Sequence, residues 1–144
     1  MKLSHCGSAL GIVTLLASLS ANQSVDLAQA GGAWNQEVSA PTIRQRDWRY
    51  ESDPLQPRVL PAIEEAQVTR VYWRHDYVPF NSSLKVWLCT ASICTDASAG
   101  KGMTEAFSGM AAETAFKFYF QMPGQGMLSK PLQGKKLHVI VNYD

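Results

Sequence analysis

The stretch Ala115-Phe116-Lys117-Phe118-Tyr119-Phe120 places a phenylalanine at every second position. A period of two is the signature of a strand, because successive side chains leave a pleated backbone on opposite sides. Three phenylalanines on one face must be covered by another layer. The same alternation recurs at Leu84, Val86 and Leu88, and at Leu137, Val139, Val141 and Tyr143. Val68-Thr69-Arg70-Val71-Tyr72-Trp73 adds a run of β-branched and aromatic residues, as half-buried strands do. Ile43 to Tyr50 is a weaker strand candidate, polar on both faces.

Turn residues separate these runs. Asp53-Pro54, Gln56-Pro57, Asn81-Ser82-Ser83, Gly100-Lys101-Gly102 and Pro123-Gly124-Gln125-Gly126 are turn signals that mark connections. Ala62 to Ala66 has room for one helical turn, and Met103 to Phe107 fits helix or strand equally. Short strands between Gly and Pro turns predict an all-β chain, a small antiparallel sandwich or barrel-like domain.

The amino-terminal residues bear on the compartment. Lys2 sits in a polar lead, and an uncharged apolar run extends from Ala9 to Leu19. That run is shorter than the roughly 20 residues a membrane-spanning helix needs. Its layout is that of a secretory signal peptide, with Ala28-Gln29-Ala30 as the cleavage motif and a cut after Ser20 as the alternative. The expected organisation is a cleaved leader over 1–30 and one β domain over 31–144. An uncleaved anchor is the competing interpretation. The mature chain is expected to be soluble and exported to an oxidising compartment. A net charge of +1 gives no electrostatic case for nucleic acid.

Cys6 leaves with the leader, so Cys89 and Cys94 remain, four residues apart at the end of a strand. In an oxidising compartment thiols pair. A staple closing a small hairpin needs nothing further. A zinc site needs two more ligands, and only His75 and His138 remain as imidazoles. A redox pair normally has two intervening residues, not four. The disulfide is the expectation, with no metal and no cofactor.

Catalytic motifs are incomplete. Phe107-Ser108-Gly109 lacks the first glycine of a nucleophile elbow. Gly100-Lys101-Gly102-Met103-Thr104 lacks the spacing of a phosphate loop. The expectation is a non-catalytic chain. Aromatic content leaves a glycan-binding alternative, in which Trp34, Trp48 and Trp73 stack on sugar rings of peptidoglycan. Core packing is the commoner use of such residues in a small domain. Arg44, Arg46, Arg49 and Lys85 form at most a modest basic surface, interleaved with Asp47 and Glu51.

Five segments taken in order carry a resemblance: GAW at 32–34, VYWR at 71–74, LKVWLCTASICTD at 84–96, FYFQMPGQGML at 118–128 and HVIVNY at 138–143. Together they resemble the flagellar protein FlhE family. The sequence departs from the family pattern at Gln125, where another glycine is expected. The resemblance implies a periplasmic accessory of flagellar assembly linked to swarming. It implies a chaperone or gatekeeper for rod or export-apparatus proteins, or a control on proton leakage through the export gate. A β domain captures an extended partner by adding a strand at an open edge. The terminal strand, with Leu137, Val139, Ile140, Val141 and Tyr143, is the candidate element for that contact.

Overall fold

The computed structural model describes residues 31–59, 61 and 65–144. The expected leader over 1–30 and most of the Ala62–Ala66 segment lie outside these residues. Eleven strands make up the described chain: β1 (Gly32–Ser39), β2 (Ile43–Gln45), β3 (Arg49–Glu51), β4 (Val68–Arg74), β5 (Tyr77–Val78), β6 (Lys85–Cys89), β7 (Cys94–Asp96), β8 (Lys101–Thr104), β9 (Lys117–Gln121), β10 (Met127–Gly134) and β11 (Lys136–Tyr143). All pairings are antiparallel. The all-β expectation holds.

Two four-stranded sheets, ordered β1-β11-β4-β8 and β3-β9-β6-β7, share one hydrophobic core. The first sheet contributes Trp34, Val71, Leu137, Val139 and Val141. The second contributes Val86, Leu88, Phe118 and Phe120 from the face that alternation predicts. Aromatic rings knit the layers: Trp34 lies 6.1 Å from Phe116, and Phe107 meets Phe116 edge to face at 5.0 Å. Such pairs add to the apolar area they bury. A third sheet, β2-β10-β5, adds Ile43, Leu128, Leu132 and Tyr77 to the same core.

The weak strand from Ile43 to Tyr50 resolves into two. Asp47 adopts φ 55°, a left-handed conformation that Asp tolerates better than most residues, and this turn separates β2 from β3. In the Pro123–Gly126 turn, Gly124 and Gly126 take φ of 102° and 80°. Gln125 lies between them outside the positive-φ region, so the absence of glycine there strains nothing. Of the segment that fits helix or strand, Met103 and Thr104 end β8, and the chain turns from Ala106 onward.

Candidate functional site

The paired cysteines form the expected bond. Cys89 and Cys94 are direct cross-strand partners in the β6–β7 hairpin and are disulfide-linked. Thr90 closes the loop between them, its hydroxyl accepting from the backbone N–H groups of Ser92 and Ile93 at 3.3 and 3.2 Å. Both sulfurs are therefore committed to a structural bond.

The histidines part company. His75 is 8 % exposed, and its Nε2 donates to the Ala97 carbonyl at 2.7 Å. Tyr77, Phe118 and Phe120 present their rings to it edge on. Burial pushes its pKa below the ordinary histidine range, partly offset by the Ala97 carbonyl. His75 is thus a neutral core histidine. His138 stands on the solvent face of β11, away from the core. No group of three His, Cys, Asp or Glu side chains suited to a metal ion occurs among the described residues. Gly100 and Gly102, the phosphate-loop fragment, serve packing instead. The Gly100 carbonyl accepts from the His75 N–H at 2.8 Å, and a side chain on Gly102 would run into the Trp73 indole.

Two sequence expectations need correction. The terminal strand was the candidate for strand addition, but β11 is a central strand, paired with β1 on one side and β4 on the other. Its backbone has no open edge. Leu137, Val139 and Val141 are wholly buried, Tyr143 is half-buried, and only Ile140 of that set is exposed. The reason is pairing: β11 runs against β1 from Lys136 to Tyr143 and against β4 from His138 to Tyr143, so the main-chain groups on both of its sides face a neighbouring strand. The second correction concerns the three-tryptophan platform. Trp34 and Trp73 are buried, and their indole N–H groups donate to the carbonyls of Ala112 and Ala99 at 2.6 and 2.9 Å. Only Trp48, at 57 % exposed, offers a free ring.

The surface that the fold does assemble is the outer face of the first sheet with its two edges. β1 is an edge strand of eight residues, paired to β11 in unbroken register from Gly32↔Tyr143 to Ser39↔Lys136. No strand lies on its other side among the described residues. On the sheet face, Tyr72, Met103 and Ile140 are exposed, and Arg74, Lys101 and His138 lie beside them around an open groove of about 600 Å³. Sequence reasoning missed Tyr72, Arg74, Lys101 and Met103 as a group, because they meet only through strand pairing.

Fold and surface together define the class: a disulfide-stapled antiparallel β-sandwich with one open-edged, partly apolar sheet face. The profile of the family described as "Flagellar protein FlhE" matches residues 40–144. The flagellar protein FlhE of Escherichia coli K12 is 37% identical over 113 residues, spanning 78% of this chain and 85% of that protein. The Yersinia enterocolitica FlhE is 32% identical over 117 residues, spanning 81% and 84%. A crystal structure of FlhE superposes with a TM-score of 0.72 at 31% identity, covering 78% of this chain and 96% of the other. The chain belongs to the FlhE family of flagellar proteins.

Proposed function

We propose that this protein is an exported accessory of flagellar assembly that holds a rod or export-apparatus segment without performing chemistry on it. Membership of the FlhE family supports the flagellar association. The leader-like amino terminus supports a periplasmic location. The link to swarming and the gatekeeper role follow from the same reading.

One observation carries the binding role: the open edge of β1. An edge strand presents a row of unpaired N–H and C=O groups, and natural proteins usually blunt it with proline, bulges or charge. β1 has no proline, no bulge in its pairing with β11, and a single charge at Glu37. An extended partner segment gains main-chain hydrogen bonds by pairing there. The role expected of β11 passes to its neighbour.

The test is a photo-crosslinking residue at Asn35 or Glu37, in the periplasm of a motile host. Rod or export-gate subunits captured only when flagellar genes are expressed would support this function. Capture of nothing flagellar, or the same capture in a strain without flagella, would sink it. The glycan alternative loses Trp34 and Trp73 to the core and retains only Trp48.

A further inference from the structure

Ile140, Tyr72 and Met103 are direct cross-strand neighbours on β11, β4 and β8. They are 36 %, 36 % and 47 % exposed, so they make one apolar row across three strands on the solvent side. Two positions along each strand lies a second row: His138, Arg74 and Lys101, again direct neighbours. Both rows border the groove described above, and no carboxylate lines it.

The second row carries two fixed positive charges, Arg74 and Lys101, on adjacent strands. Three cations among the described residues have acid partners, Arg70 with Glu105 at 2.7 Å, Lys117 with Glu51 at 3.5 Å and Lys135 with Asp76 at 3.1 Å, and of these only Arg70 lies on this sheet. Neither Arg74, Lys101 nor His138 has an ion pair among the described residues. Glu37, opposite His138 on β1, is the one acid that shares the row. Arg74 and Lys101 are adjacent positive charges beside the apolar row, with Glu37 at the β1 end of their own row.

We propose that this face docks a polypeptide segment of a partner protein that presents apolar side chains flanked on one side by Asp or Glu. Burial against Ile140, Tyr72 and Met103 supplies affinity, and the cationic row sets orientation and speeds encounter. The row is aliphatic and thioether with a single ring. Methionine adapts to varied apolar side chains, whereas a sugar site is built on several stacked aromatic faces. A polypeptide fits this chemistry better than a glycan does. The inference rests on the protein being a binding module, but not on the edge of β1: it uses side chains of the sheet face, not the main chain of that edge.

The experiment is panning of a random dodecapeptide phage library on the wild-type domain, with the Arg74→Glu/Lys101→Glu variant as the counter-target. Both positions are exposed, and intact mass with near-ultraviolet circular dichroism shows that the variant is folded and its disulfide intact. The expected result is enrichment of peptides combining apolar residues with Asp or Glu. Their synthetic forms bind the variant about tenfold more weakly or worse, and bind wild type more weakly as salt rises. No enrichment, a basic or uncharged consensus, or acidic peptides that bind the variant equally would overturn the proposal. Soluble murein fragments that bind wild type and lose binding on charge reversal would also overturn it, in favour of a glycan site. Asn35 and Glu37 continue the two rows on β1, so the capture there is repeated with Arg74→Glu/Lys101→Glu: flagellar capture that persists belongs to the β1 edge, and capture that is lost belongs to this face.

Discussion

Trp73 and Gly102 face each other across the β4–β8 pair, and the indole of the first occupies the space that a side chain on the second would need. The same indole donates to the Ala99 carbonyl, so it is held at both ends. Gly102 is therefore required by packing and not by backbone freedom. It lets the short edge strand β8 lie close over a large core side chain, and this places Lys101 and Met103 beside β4.

Gly102→Val is expected to destabilise the domain by about 1–3 kcal/mol, the usual cost of forcing volume into a filled site. A urea unfolding midpoint measures it. An unchanged midpoint would mean that the indole has room to move, and that β8 is not pinned by this contact.

Ser52 is a second buried device with no signal in the sequence. It is 4 % exposed; its hydroxyl donates to the Asp53 carbonyl at 2.7 Å and accepts from the Phe118 N–H at 3.0 Å. This extends the β3–β9 ladder past the last residue of β3. Ser52→Ala leaves a buried N–H without a partner and should cost about 1–3 kcal/mol. Faster amide exchange at Phe118 in the variant would locate the loss, and unchanged exchange there would refute it.

The disulfide closes a short loop. Replacing both Cys89 and Cys94 with serine should lower stability by about 2 kcal/mol in the chain-entropy view, leaving the fold intact. Denaturant midpoints for wild type, with and without reductant, and for the variant provide the check. A reduced protein as stable as the oxidised one would show that Thr90 and the β6–β7 ladder already hold the hairpin.

His75 gives the domain a pH dependence of definite sign. Its folded pKa is depressed by burial, while in the unfolded chain it takes the ordinary value of about 6.5. As pH falls, the unfolded chain binds the proton first. The stability is fully present above the unfolded pKa, drains as pH falls through it toward the lower folded value, and levels off below. His75→Gln keeps a donor for the Ala97 carbonyl but does not titrate. Its unfolding midpoint should change less between pH 7.5 and 5.5 than that of wild type. Equal changes would mean that other groups carry the dependence.

Much of the β character was legible because alternation is a property of one strand read alone. Phe116, Phe118 and Phe120 show their face in six consecutive residues, and Leu137, Val139 and Val141 do the same in five. The hairpin at Cys89 and Cys94 was legible for a similar reason, since only four residues separate the partners. β1 and β10 were not. Trp34 sits among polar residues at the start of the domain, and Met127–Gly134 contains a proline and a glycine, so neither advertises a strand.

The residues read alone were enough for an all-β chain, for which side of several strands turns inward, and for the meeting of Cys89 and Cys94. Tertiary structure alone decided that β11 is central and β1 is an edge, that Trp34 and Trp73 are core, and that Tyr72, Met103 and Ile140 form one row beside Arg74, Lys101 and His138. The reason is physical. Face alternation is written in neighbouring residues, whereas backbone hydrogen bonds between strands use the same donors and acceptors whatever the sequence. Which strands pair, and in what register, follows from how all the inward faces fill one core together.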